Sequence, residues 1–488
     1  MLKKLSRRAL AKLAGFAALG VAAAKPDESR AAPSAAGRPS TGFPSGFIWG
    51  TATSAYQIEG AVAADGRGRS IWDTFCHTPG HIEDGSNADR ADDHYHRYRD
   101  DVGLMKDLGV KAYRFSIAWP RVFPEGNGTP NPKGLDFYDR LLDALLENGI
   151  EPFATLYHWD LPQALQDRYG GWQSRETSKA FADYAAYVAE RLTDRVRTIF
   201  TLNEVGRFVT FGYGTGIDAP GLKLGPAALN QVRHNVALAH GLAVQAIRAH
   251  GRAGTEVGPA ENITTCLPAI DTADNIRAAE IATREMNAGY LNLILEGKYT
   301  DAFLSYAGAN APRYSDGELK IIGSPVDFVG LNIYAPQIYV AASERPPGFS
   351  VLPFPPDFPH MSSDWLKIGP ETAYWVPRLA AKVWNLKKIY ISENGASAAD
   401  HLAADGKVYD LDRMMFLRNY LAQLQRAVAE GAPVRGYFLW TLMDNFEWIY
   451  GYGKRFGLYR VDFDSLARTP KLSAAFYRNV MARNAVDV

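Results

Sequence analysis

The chain has 488 residues, 47% of them hydrophobic, with 53 basic and 53 acidic side chains. That length supports one long α/β domain or several smaller ones, and the balanced charge excludes the basic footprint of a nucleic-acid-binding protein. Its two cysteines, Cys76 and Cys266, form no CxxC or Cys/His spacing for zinc and read as unpaired thiols.

The N-terminus opens basic, runs apolar from Leu13 to Ala24 and turns Ala-rich, the three-part anatomy of an export signal. "SRRALAK", Ser6 to Lys12, resembles the bacterial twin-arginine motif with Arg7 and Arg8 as the pair, which is read by machinery that exports folded proteins. The apolar run is short for a membrane span. From about Pro26 to Thr41 the chain is rich in Ala, Ser and Pro, as a flexible linker is. Residues 1–41 are therefore expected to be signal and linker. Residues 42–488 are expected to form one domain, periplasmic or secreted and free of the membrane. The Asn262 sequon reads as chance beside a bacterial signal.

From Phe43 onward short apolar runs alternate with longer amphipathic stretches. The runs are Phe47–Thr51, Ala112–Ile117, Pro152–Leu156, Val196–Leu202, Glu256–Ala260, Asp327–Leu331, Lys388–Ser392 and Gly436–Trp440. Between them lie helix-like segments: Asp93–Leu108, Asp136–Asn148, Ser178–Thr193, Ala227–His250, Asn275–Glu296, Glu371–Trp384 and Leu411–Glu430. Eight strands alternating with helices predict a (β/α)₈ barrel with long βα loops. An open doubly wound sheet is the alternative, but no GxGxxG follows the first strand. The Pro-rich stretch Pro346–Pro359 reads as an irregular loop.

In a barrel the C-terminal strand ends converge on one face. Gln57 and Glu59 follow the first strand, and Arg114 lies in the second. The third leads to His158, Trp159 and Asp160, and the fourth to Asn203 and Glu204. The sixth leads to Asn332 and Tyr334, and the seventh to Glu393 and Asn394. The eighth ends at Trp440, with Glu447 and Trp448 beyond it. A lone Glu at a strand end reads as a solvated loop residue. Two of them among Arg, Gln, His, Asn, Tyr and Trp point to a small carbohydrate. Gln57, His158, Asn203 and Glu447 offer planar hydrogen-bonding groups to hydroxyls, and Trp440 and Trp448 offer flat apolar surface to a sugar ring. Glycosidic cleavage needs two carboxyl groups and neither metal nor cofactor. His94 and His96 stand two apart in a predicted helix and so face differently.

The chain from Phe43 to about Val480 resembles a family-one glycoside hydrolase, a family that includes many β-glucosidases. The resemblance lies in "FPSGFIWGTATSAYQIEG", "YRFSIAWPR", "TLYHWDLP", "TLNEV", "ISENG", "LWTLMDNFEW" and "GYGKRFGLYRVDF", in that order. It implies a (β/α)₈ barrel that cleaves with retention of configuration, the carboxyls about 5–5.5 Å apart. It implies Glu204 as acid/base and Glu393 as nucleophile, whose charge raises the pKa of Glu204. It implies glycone contacts at Gln57, His158, Trp159, Asn203, Trp440, Glu447 and Trp448. Arg114, Asn332 and Tyr334 would flank the nucleophile, and Trp365 would line the aglycone side. One departure stands out: Val205 replaces the family's usual proline after the acid. Valine restores a backbone N–H that needs a partner. The implied function is a β-glucosidase acting on a neutral sugar at the non-reducing end. A transglycosylase on the same site, or a silent sugar-binding barrel, are the rivals.

Overall fold

The computed structural model describes residues 42–487. The expected signal, with Arg7 and Arg8, and its linker lie outside the described residues. Eight parallel strands close into a barrel: β1 (Ile48–Ala52), β2 (Ala112–Ser116), β3 (Glu151–Tyr157), β4 (Thr198–Asn203), β5 (Glu256–Asn262), β6 (Val329–Asn332), β7 (Ile389–Asn394) and β8 (Val434–Trp440). β8 pairs with β1 from Gly436 opposite Ile48 to Trp440 opposite Ala52, which shuts the ring. β2 and β4 are buried at every position, so they read as continuous runs rather than alternating ones. Aromatic side chains fill the interior: the Phe153 ring lies 4.9 Å from Phe438 and 5.5 Å from Tyr390. Gly50 makes room for them, since a Cβ there would sit 2.6 Å from the Phe438 ring.

The helices His94–Leu108, Pro132–Glu147, Arg175–Leu192, Pro226–His250, Thr372–Trp384 and Leu411–Ala429 match the amphipathic stretches. His94 is buried with its Nδ1 2.8 Å from Asp101 Oδ2, and His96 is exposed. Cys76 and Cys266 are free and buried. Among the described residues no helix is long and apolar enough to cross a membrane.

Two expectations need correction. The stretch Asn275–Glu296 is two helices, Ala273–Met286 and Leu291–Glu296. Asn287 ends the first: its Nδ2 donates to the Thr283 carbonyl at 2.7 Å, and its Oδ1 accepts from the Thr264 N–H at 2.8 Å. The Pro-rich stretch is also not wholly irregular. Phe349–Leu352, a proline-free segment inside it, pairs antiparallel with Ile338–Ala342, which pairs in turn with Cys266–Pro268. Those N–H groups are free to pair because the prolines flank the segment.

A buried ionic network locks the end of the chain to the loops after β7 and β8. Arg413 donates to Asp400 at 2.6 and 2.9 Å and also to Asp410. Lys471 donates to Asp400 at 2.6 Å and to Asp444 at 2.5 Å. Loss of one partner from such a set leaves a buried charge uncompensated, at about 3–5 kcal/mol. The described chain ends also meet. Phe43 N–H donates to the Asn484 carbonyl at 2.8 Å, Asn484 Nδ2 donates back to the Phe43 carbonyl at 2.8 Å, and Trp49 Nε1 reaches Asn484 Oδ1 at 2.9 Å.

Candidate active site

The C-terminal strand ends surround a cavity of about 1090 Å³ whose walls include both Glu204 and Glu393. Glu393 comes from the end of β7. Its Oε1 accepts from Arg114 Nη1 at 2.6 Å and its Oε2 from the Tyr334 hydroxyl at 2.7 Å. Burial, and then the charge of Glu393, raise the Tyr334 pKa well above its ordinary value, so the phenol stays a donor. The glycine of "ISENG" is needed for close approach: a Cβ on Gly395 would meet the Trp440 carbonyl oxygen at 1.7 Å.

Glu204 follows β4 and carries φ 54 and ψ 59, a left-handed backbone that an L-residue adopts at a cost of about 1 kcal/mol or more. Trp159 and Trp448 also have positive φ, 80 and 51. Such strain persists only where the surroundings impose it. Here the Glu204 N–H donates to the Ala260 carbonyl at 2.9 Å, and its carbonyl accepts from Arg207 and Phe208 at 3.0 and 3.1 Å. The side chain is 5% exposed, and its Oε1 accepts from Asn332 Nδ2 at 2.8 Å. Its pKa is pushed up to about 7, first by burial and second by the charge of Glu393; Arg207, Asn332 and Arg114 oppose the rise. Desolvation therefore outweighs the neighbouring carboxylate that the sequence reading put first.

Asn332 lies beside Glu393 in strand register, yet its amide turns to Glu204 and, at 3.1 Å, to Asn203 Oδ1. It serves the other carboxyl from the one expected. Arg114 links the two halves: its Nη2 donates to Asn203 Oδ1 at 2.6 Å. Asn203 Nδ2 lies 3.1 Å from His158 Nε2, which accepts. Burial lowers the His158 pKa well below its ordinary value, consistent with a neutral ring protonated at Nδ1. Nδ1 has no protein partner, and His158 lines the cavity.

Gln57 and Asn203 have no accessible surface and are fully engaged with protein neighbours. Gln57 Nε2 donates to Asn445 Oδ1 at 3.0 Å, the Phe446 carbonyl at 2.9 Å and Glu447 Oε2 at 3.3 Å. Glu447 lines the cavity, and burial pushes its pKa up to about 8 against the pull of Arg207. Trp159, Trp440 and Trp448 also face the cavity; the Trp159 and Trp448 rings lie 4.4 Å apart, and His158 stacks 5.7 Å from Trp440. Trp365, 38% exposed, stands at the outer wall with its ring 5.7 Å from Tyr334 and 6.3 Å from Phe456. Lys454 donates to the Ser362 carbonyl at 2.8 Å and is not part of the cavity wall.

The sequence reading misses Glu261, at the end of β5. Its Oε2 accepts from the Val205 N–H and its Oε1 from the Gly206 N–H, each at 3.0 Å. This is the partner that the valine N–H requires. Glu261 is 3% exposed, and its pKa is pushed up to about 8, by burial first and in part by the charge of Glu204. "EN" at a strand end was legible by the same rule that found the other site residues. Arg207 and Arg233 in the cavity wall were not legible, since both lie on helices whose orientation the sequence does not reveal.

A closed parallel barrel that holds two buried carboxyls among tryptophans at its C-terminal mouth defines a glycoside hydrolase. Comparison with known proteins names the group. Residues 40–486 match glycosyl hydrolase family 1, and the chain belongs to that family. β-Glucosidase A of Acetivibrio thermocellus is 44% identical over 448 residues, covering 91% of this chain and 98% of the relative. A bifunctional β-D-glucosidase/β-D-fucosidase of Bifidobacterium breve is 44% identical over 461 residues, covering 90% and 98%. The solved β-glucosidase of Thermotoga maritima in complex with glucoimidazole superposes with a TM-score of 0.83 at 41% identity, covering 91% of this chain and all of that one (100%).

Proposed function

We propose that this protein is a retaining β-glucosidase that releases neutral glucose from the non-reducing end of oligosaccharides or of aryl and alkyl glucosides. The observation that carries the reading is the unequal setting of two buried carboxyls. Glu393 is gripped by Arg114 and Tyr334, while Glu204 meets the neutral amide of Asn332 and is pushed up to about 7. Double displacement needs that inequality: one carboxylate attacks and one carboxylic acid protonates. Glu393 bonds to the anomeric carbon as Glu204 gives its proton to the departing oxygen. Glu204, now a base, takes a proton from water, which displaces Glu393 and frees the sugar.

Trp440 and Trp448 supply apolar surface to the ring, and His158 and Glu447 meet its hydroxyls. Gln57 and Asn203 orient those two from behind. The relatives named β-glucosidase support glucose, and the bifunctional relative makes β-fucoside the next candidate. A phosphorylated sugar is disfavoured because Lys454, the cation that follows Glu447 in the loop after β8, is held outside the cavity wall by the Ser362 carbonyl. The test is kcat/KM on matched nitrophenyl β-glucoside, β-galactoside, β-fucoside and β-glucoside 6-phosphate, with the first-formed anomer read by NMR. β-Glucose formed first, and the neutral glucoside preferred, is the expected result. α-Glucose first, or preference for the phosphate, overturns it.

Export through the twin-arginine route belongs to the same proposal. Arg7, Arg8 and the apolar run after them support it. Lysine at both positions should strand active enzyme in the cytoplasm; unchanged periplasmic activity would refute this route.

A further inference from the structure

Outside the sugar-binding floor, the cavity wall includes Thr210, Phe211, Arg233, Phe303 and Tyr306. Arg233 comes from the helix Pro226–His250, one turn past Asn230. Its Nη1 donates to Asn230 Oδ1 at 2.9 Å and its Nη2 to the Thr210 hydroxyl at 3.4 Å. Both acceptors are neutral, and among the described residues no carboxylate forms an ion pair with it. Burial lowers the pKa of this guanidinium, and only the Tyr299 hydroxyl works against that. Other inward arginines do have acids: Arg114 has Glu393, Arg121 has Glu59 and Arg413 has Asp400. A half-buried cation that lines the cavity without a counter-ion is ready for an anion.

A second cation lies further in. Arg207 reaches Asp218 only at 3.7 Å, and its buried Nε has no partner. Its guanidinium stands over the rings of Trp159 and Phe211, at 5.4 and 5.0 Å. Thr210 and Phe211, adjacent in sequence, therefore each touch one of the two arginines. Besides Glu204, Glu393 and Glu447, two further acids line the cavity. Glu261 is held by the Val205 and Gly206 N–H groups, and Glu285 Oε2 accepts from the Thr300 hydroxyl at 3.0 Å. Neither pairs with Arg233. Phe303, Phe211 and the 93% exposed Tyr306 add aromatic surface beside the cations.

We propose that the outer half of this cavity is an aglycone site for a carboxylate, received by Arg233 and braced by Asn230 and Thr210. It rests on the β-glucosidase reading and names the substrates of that same site: β-glucosides whose leaving group is an acid. A guanidinium fork matches a carboxylate in two parallel hydrogen bonds, which a neutral hydroxyl cannot reproduce. The carboxylate has two chemical sources, a uronic acid residue or an aromatic acid.

The test pairs each acid with its methyl ester. One arm uses glucosyl-β-1,4-glucuronic acid, and the other uses β-glucosides of 4-hydroxybenzoic and 4-hydroxycinnamic acids. The readout is the acid-to-ester ratio of kcat/KM within one enzyme form, which cancels any general loss of activity. Wild type should favour the acid about tenfold in at least one arm, mainly through KM. Arg233→Gln should bring that ratio to about one, and Arg233→Lys should keep part of it. The arm that responds identifies the source. A wild-type ratio of one or less in both arms, or a ratio that survives Arg233→Gln, overturns the proposal. Failure of wild type to hydrolyse any β-glucoside, nitrophenyl β-glucoside included, refutes the β-glucosidase reading and this proposal with it.

Discussion

Glu261 closes both of its carboxylate oxygens on the backbone that follows Glu204, through the N–H groups of Val205 and Gly206. The valine that departs from the family pattern and the carboxylate on the next strand thus form one unit. Val205→Pro would remove one donor, and Glu261→Leu would strand the buried Val205 N–H and release that of the exposed Gly206. Each change should destabilise the fold by about 1–3 kcal/mol. The double variant should lose less than the sum, by about 0.5–3 kcal/mol. Urea unfolding of the four forms measures this, and additivity would show that the two residues act apart.

Glu393→Gly should lose nearly all turnover. Azide should restore activity on an activated β-glucoside and give the α-azide, since the small anion fills the space of the missing carboxylate. Near-normal activity without azide would remove Glu393 from the nucleophile role.

Glu204→Ala should spare dinitrophenyl β-glucoside and damage poor leaving groups most, because only the latter need a proton. A rate series in leaving-group pKa reads this directly. A uniform loss across the series would indicate a structural role.

The acid form of Glu204 is the active one in the first step, and its pKa is pushed up to about 7. The rate should therefore fall as pH rises through about 7. Arg207 lowers that pKa, so Arg207→Gln should move the alkaline limb of kcat/KM to higher pH. Glu447 titrates nearby, pushed up to about 8, and Glu447→Gln identifies which group sets the limb. A limb that stays fixed or moves down in Arg207→Gln would rule out this account.

The barrel was readable because each strand, buried on both faces, leaves an apolar run that the amphipathic stretches punctuate. The catalytic pair was readable because barrel topology brings strand ends together whatever their separation in sequence. What escaped depended on three-dimensional facing. Asn332 could be placed at the end of β6 but not aimed at Glu204 rather than Glu393. The break at Asn287 is made by a side chain that bonds to a loop 23 residues earlier in the chain. Arg233 lies two turns into a long helix, and its missing counter-ion is visible only once its neighbours are known.

The meeting of Phe43 with Asn484 has a practical reach. Both lie before or beneath the start of β1, whereas the catalytic groups stand where the strands finish. Anything fastened at either of these points, whether a resin, a fused partner or a surface tether, therefore leaves the barrel from its underside. An immobilised form should keep its mouth open to large glucosides, and one linkage site should serve as well as the other.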